Sequence, residues 1–230
     1  PGTIDAYGNA AYVLLEGLIE DAARRATGTN RPFAQVVDDN LFGPLGMEAT
    51  SFRFDKAAIS NHIAASYVTG MRVPHEYVDI YGTGSMYSRP TDMAKFISAL
   101  FAVPSPLMAT QTLATMTADQ STNALFDPWT TYRSGLGWDQ VGDPELNYAG
   151  RNWWKNGATI TYASMLAVLP DQQLGAAVVI NSPGGLADRA AILTLQQALL
   201  EKTGLHWPTN PLAFPTPPPP ATAQQLRAPA

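Results

Sequence analysis

Lys155-Asn156-Gly157-Ala158 is the stretch on which the reading of the second half of the chain turns. Asn152 to Lys155 before it and Thr159 to Leu169 after it are rich in β-branched and aromatic residues, as are Ser134 to Val141 and Leu174 to Asn181. Such runs, separated by turn residues, read as sequential antiparallel strands. Taken alone, Asn156-Gly157 is also the commonest two-residue hairpin turn. Pro170-Asp171-Gln172-Gln173 joins two of the strands as a hairpin, and Leu186 to Lys202 follows as a helix with Ile192, Leu195 and Leu199 on one side.

Upstream the period changes to that of helices. Asn9 can cap a helix whose apolar positions Val13, Leu14, Leu18 and Ile19 recur every three or four residues until Thr27-Gly28-Thr29. Phe33, Val36, Val37 and Leu41 continue the period as a shorter helix, broken by Gly43-Pro44-Leu45-Gly46. Met47 to Gly84 is irregular, with brief extended pieces such as Ala65 to Val68. Ser88 is placed to cap a helix with Pro90 and Asp92 in its first turn and Met93, Phe96, Ile97 and Leu100 as its buried stripe. A further helix is expected over Met108 to Thr117. The expected organisation is one partial domain over 1–207, mostly helical over 1–126, with sheet strands and a C-terminal helix over 127–207. Residues 208–230 read as a Pro-rich tail or linker, expected to lie against a surface.

Bulk composition narrows the function classes. A chain of 230 residues can bury about 70 per cent of its unfolded surface. A net charge of -5, with Arg24-Arg25 as the only adjacent basic pair, argues against a nucleic-acid surface. No cysteine is present, which removes disulfides, thiolate chemistry and Cys-bound zinc. His62, His75 and His206 have neither ligand spacing nor an evident acid partner, so neither a metal site nor a Ser-His-Asp triad is expected. The uncharged run Phe96 to Ala118 is interrupted by Pro104, Pro106 and many Thr and Gln, and no membrane span is read. The first residues, Pro1-Gly2-Thr3-Ile4, have no leader character, so any export signal is expected upstream of them.

Tyr7-Gly8-Asn9 opening the first helix, Leu41-Phe42-Gly43-Pro44-Leu45-Gly46-Met47, Gly82-Thr83-Gly84-Ser85-Met86-Tyr87-Ser88 leading into Asp92-Met93-Ala94-Lys95-Phe96, Gly135-Leu136-Gly137-Trp138, Lys155-Asn156-Gly157-Ala158, and Val168-Leu169-Pro170-Asp171 with Val179-Ile180-Asn181 occur in this order. The series resembles the serine β-lactamase and penicillin-binding-protein-like family. Within it, the likeness is strongest to the branch of class C β-lactamases, D-alanyl-D-alanine carboxypeptidases, D-aminopeptidases and esterases. The resemblance spans Tyr7 to about Lys202. It implies an α+β fold in which an antiparallel sheet flanked by helices packs on a helical region, with the N-terminal part of that fold absent here.

The resemblance also implies an acyl-serine mechanism. Tyr7 would move the serine's proton, which a phenol does only where neighbouring cations favour its anion, and Lys155 is one such cation. Asn9 and Asn156 would meet the substrate through their amides. Gly157 would allow close approach, and Ala158 would offer its N–H to an oxyanion hole. Lys155 would also attract a substrate carboxylate. The family's Ser-x-x-Lys pair is not found here, because none of Lys56, Lys95, Lys155 and Lys202 has a serine three residues before it. Asn156 departs from the Thr or Ser common in β-lactamases, which leaves the substrate open among β-lactams, amides and esters. The expected partners are a small-molecule or peptide substrate with a carboxylate, and the absent N-terminal portion or a second copy. No cofactor is implied, and the expected location is periplasmic or secreted. The alternative is a non-catalytic relative acting as a ligand-binding or sensor domain. Of the tandem Trp153-Trp154, one ring is expected in the core and one at the cleft mouth.

Overall fold

The computed structural model describes residues 7–54, 59, 61–102, 104–121 and 133–207; the expectations for the tail fall outside them. Helix α1 spans Asn9–Thr27, as its spacing predicts, and Gly28 ends it in the left-handed conformation at φ 72°. Its N-cap is Gly8, with no side-chain capping bond, so Asn9 is the first helical residue and not the cap. Of the recurring apolar positions, Val13, Leu14 and Leu18 are exposed. What holds α1 down is its polar face. Glu16 accepts from the Gly82 N–H at 2.7 Å and Glu20 from the Phe33 N–H at 2.7 Å.

Helix α2, Phe33–Val37, runs into a π-helical turn over Asp38–Phe42. A small hairpin pairs β1, Ser66–Val68, with β2, Met71–Val73. Helix α3 covers Pro90–Phe101 and α4 covers Thr110–Met116. Arg89, not Ser88, sits at the N-cap of α3, while the Ser88 hydroxyl is 2.8 Å from that of Thr50.

The main sheet has the order β3-β4-β5-β6, antiparallel throughout. Its strands are Gln140–Val141, Trp153–Ala158, Ala163–Leu169 and Leu174–Ile180. The strand expected over Ser134 to Val141 is thus reduced to its last two residues. Asn156-Gly157 does not turn, because β4 runs through both residues. The turn lies at Thr159 to Tyr162, closed by Thr159 N–H to the Tyr162 carbonyl at 2.9 Å. Helix α5, Leu186–Thr203, follows β6.

Side-chain alternation divides the sheet into two faces. Trp154, Met165, Ala167 and Leu169 pack with Ala187, Ala191, Ile192, Leu195 and Leu199 of α5. Trp153 and Val168 pack on the other face with Leu100, Trp138 and Val141. The two adjacent tryptophans therefore fill two different cores, at 3% and 7% exposure, and neither lines a cleft mouth. Helix α3 approaches β6 closely: a Cβ on Gly175 would lie 2.5 Å from Ile97 Cγ2. Among the described residues no helix is long and apolar enough to cross a membrane.

Candidate active site

Strand β4 carries four of the candidate residues, and its parity sorts them. Lys155 shares a face with Trp153, whereas Asn156 shares the α5 face with Trp154. Lys155 is half-buried; its Nζ donates to Asp139 Oδ2 at 2.8 Å and to the Asn156 carbonyl at 2.7 Å. The same ammonium stands 5.8 Å from the centroid of the Tyr7 ring. Two residues 148 positions apart in the chain thus meet over one end of β4. Tyr7 is 78% exposed, so its ring is open to solvent beside that ammonium.

The remaining residues separate around this pair. Asn9 is exposed, two residues beyond Tyr7 at the start of α1. Asn156 turns away from Tyr7: its Nδ2 reaches Asp188 Oδ2 in the first turn of α5 at 3.3 Å. Gly157 has a local reason for its identity, since a Cβ there would sit 3.0 Å from Ser164 Oγ on the paired strand.

Ala158 is positioned by backbone parity. Trp154 accepts from the Asp139 N–H at 3.1 Å, and the Asn156 N–H donates to Asp139 Oδ2 at 3.2 Å, so even-numbered residues of β4 aim their backbone groups toward β3. Strand β3 pairs only with Trp153 and Trp154. Ala158, of the same parity, aims its N–H past the end of β3, along an edge that no other described strand pairs.

Three further residues, two of them outside the motifs, shape the surroundings. Asp139 links Lys155 and the β4 backbone; its role was not readable from spacing, because the pairing of Gln140 with Trp154 creates it. Asp171, quoted above only as part of Pro170-Asp171, accepts from the Arg151 N–H and Nε, both at 2.9 Å, and fastens the residues before β4 to the β5–β6 turn. The hydrogen bonds from Arg151 hold its carboxyl below the ordinary 3.8. His75 bridges two tyrosines instead of an acid. Its Nε2 is 3.2 Å from Tyr87 Oη and its Nδ1 is 3.4 Å from Tyr162 Oη, in the turn after Ala158. Tyr162 gives its single proton to the Ala64 carbonyl at 2.5 Å, so Nδ1 is the donor and Nε2 accepts from Tyr87. Among the described residues no group of His, Asp and Glu could hold a metal ion.

Residues 1–201 match the Beta-lactamase family. The chain belongs to the beta-lactamase family. The relationship to this family's hydrolases extends to a curated relative, the D-alanyl-D-alanine-carboxypeptidase/endopeptidase AmpH of Escherichia coli K12. The two are 27% identical over 189 residues, which make up 79% of this chain and 46% of AmpH. The octameric penicillin-binding protein homologue of Pyrococcus abyssi superposes with a TM-score of 0.69 at 21% identity, over 86% of this chain and 43% of that one. The beta-lactamase/D-alanine carboxypeptidase of Yersinia pestis, solved with citrate, gives 0.64 at 23% identity, over 86% and 56%. The α+β fold is therefore the beta-lactamase/transpeptidase type. The chain spans about half the length of the curated relatives it matches.

Proposed function

We propose that this chain belongs to a serine hydrolase that cleaves an amide, ester or β-lactam through an acyl-serine intermediate, with the nucleophilic serine on a segment outside these 230 residues. The observation that carries the reading is the Lys155 ammonium 5.8 Å from the Tyr7 ring, beside an edge of β4 that no other described strand pairs. A phenol and an ammonium brought together beside a strand edge are the kinds of group that can pass a proton to and from a nucleophile and hold the substrate there. Ala158, aimed off that edge, supplies an N–H to the developing oxyanion, and Asn9 meets the substrate's acyl side chain. Asn156 and Gly157 shape the strand that the substrate lies along.

The nucleophile-bearing segment covers the apolar side of α1 and the outer edge of β6, which are exposed and unpaired, respectively, among the described residues. By itself the 230-residue chain is then inactive, and the whole enzyme works outside the cytoplasm, in the periplasm or after secretion. Fractionation of cells expressing the whole protein tests the location.

A fluorophosphonate or penicillin probe, applied to the whole protein and followed by peptide mapping, tests the activity. The expected label is on a serine upstream of Tyr7. Tyr7→Phe should lower the labelling rate about 10²-fold or more with little change in probe affinity, because only the transition state uses the proton transfer. Reversible binding without a covalent label would favour a ligand-binding or sensor domain, and labelling at an unchanged rate would remove Tyr7 from the mechanism.

A further inference from the structure

We propose that Asp139 sets the charge preference of the substrate: by engaging the Lys155 ammonium it turns the site toward uncharged acyl groups and away from carboxylates. This rests on the reading that Tyr7 and Lys155 face one substrate site.

Asp139 is well placed to hold such a role. Trp138 before it and Gln140 after it are buried, and its own N–H is bonded to the Trp154 carbonyl at 3.1 Å. Its Oδ2 meets both Lys155 Nζ, at 2.8 Å, and the Asn156 N–H, at 3.2 Å. The ammonium has three protons. One goes to Asp139 and one to the Asn156 carbonyl at 2.7 Å. A carboxylate on the third would sit closer to the Lys155 ammonium than to Asp139, so the repulsion from Asp139 removes much, though not all, of the attraction that a lone ammonium would exert.

The other face adds to the same sign. Asp188 lies 3.3 Å from Asn156 Nδ2, while Arg189 beside it is engaged by Glu145 at 2.7 Å. Two carboxylates therefore flank the strand segment that carries one ammonium. An uncharged ester or amide group loses nothing in this field, and its carbonyl can still use the third proton of Lys155.

The test compares two esters with the same leaving group on the whole protein, p-nitrophenyl butyrate and the carboxylate-bearing mono-p-nitrophenyl glutarate. In Asp139→Asn the ratio of kcat/KM for the glutarate to that for the butyrate should rise about fivefold or more, chiefly through KM for the charged ester, and should shrink again with added salt. Asp139→Glu keeps the charge and should keep the ratio near that of the unaltered protein. Should Asp139→Asn not fold, Asp139→Ser must give the same rise. A merely structural role would change both esters alike, so an unchanged ratio overturns the proposal. Tyr7→Phe run beside it separates the two readings. Loss of turnover on both esters with an unchanged Asp139→Asn ratio defeats only this inference, whereas unchanged turnover in Tyr7→Phe defeats the site itself.

Discussion

Asp92 shows how much a single side chain can organise. It is fully buried at the start of α3 and accepts from the Ala49 N–H at 2.9 Å, the Thr50 hydroxyl at 3.0 Å, and Arg89 Nε and Lys95 Nζ at 3.3 Å each. Burial pushes its carboxyl up, but the Ala49, Thr50, Lys95 and Arg89 donors together outweigh that and hold it below the ordinary 3.8. A carboxyl with a depressed folded-state value contributes stability that is complete above 3.8 and lost as pH falls through the folded value. Asp92→Asn should therefore lower stability at pH 7 by about 2–3 kcal/mol and flatten the acid limb below pH 4, both read from urea midpoints. An unchanged midpoint at pH 7 would contradict it. The sequence places Asp92 in the first turn of a helix, but its partners at Ala49 and Thr50 lie more than forty residues back in an irregular stretch with no periodic pattern. The same limit applies to Asp139: Tyr7 and Lys155 are legible because each stands in a local motif, whereas the carboxylate between strands depends on register alone.

At the scale of elements, the turn chemistry of Asn156-Gly157 loses to burial. A turn there would pair Trp154 with Thr159 and leave the apolar run Ala163 to Leu169 without its partner. The observed register sets Trp153 against Val168 and Trp154 against Ala167, and fills a core on each face. Helix α5 and strands β5 and β6 were readable because each is a long apolar-rich run bounded by turn residues, while the two-residue β3 is too short for any pattern to show. The close approach of α3 to β6 gives a direct test. Gly175→Ala drives a methyl to 2.5 Å from Ile97 Cγ2 and should destabilise by about 1–3 kcal/mol, and the added cost should be smaller in an Ile97→Ala background, which lacks Cγ2. The turn after β4 is tied down by His75 through Tyr162. Burial lowers the pKa of His75 from its ordinary 6.5, against the pull of Glu76. The sign follows: its stabilising share is complete above 6.5 and is lost as pH falls below that toward the folded-state value. In His75→Gln the decline of the urea midpoint between about pH 7 and pH 5 should be shallower than in the unaltered protein. Parallel declines would show that His75 carries no such linkage.

At the scale of the whole molecule, α1 is the element whose sequence and surroundings disagree most. Its pattern reads as a helix with apolar positions every three or four residues, yet Leu14 is 72% and Leu18 65% exposed, and Tyr12, Val13 and Leu15 are exposed as well. Periodicity identifies an apolar face and not what lies against it. Glu16 and Glu20 fasten the opposite side through backbone N–H groups, so the helix position does not depend on those leucines. In the enzyme proposed above, the nucleophile-bearing segment lies over them. The 230-residue chain prepared alone should then bind a hydrophobic dye and self-associate with rising concentration. Leu14→Glu with Leu18→Glu should suppress both while leaving helix content unchanged, because both side chains are mostly exposed among the described residues. Placed in the longer protein, the same pair should destabilise by about 3 kcal/mol or more, since there two carboxylates would be buried against an apolar cover. Sedimentation, dye binding and denaturant midpoints read the three outcomes. A dye-silent monomer of the isolated chain at micromolar concentration, together with a longer protein indifferent to the double substitution, would show that nothing covers α1 and that the nucleophile must be sought elsewhere.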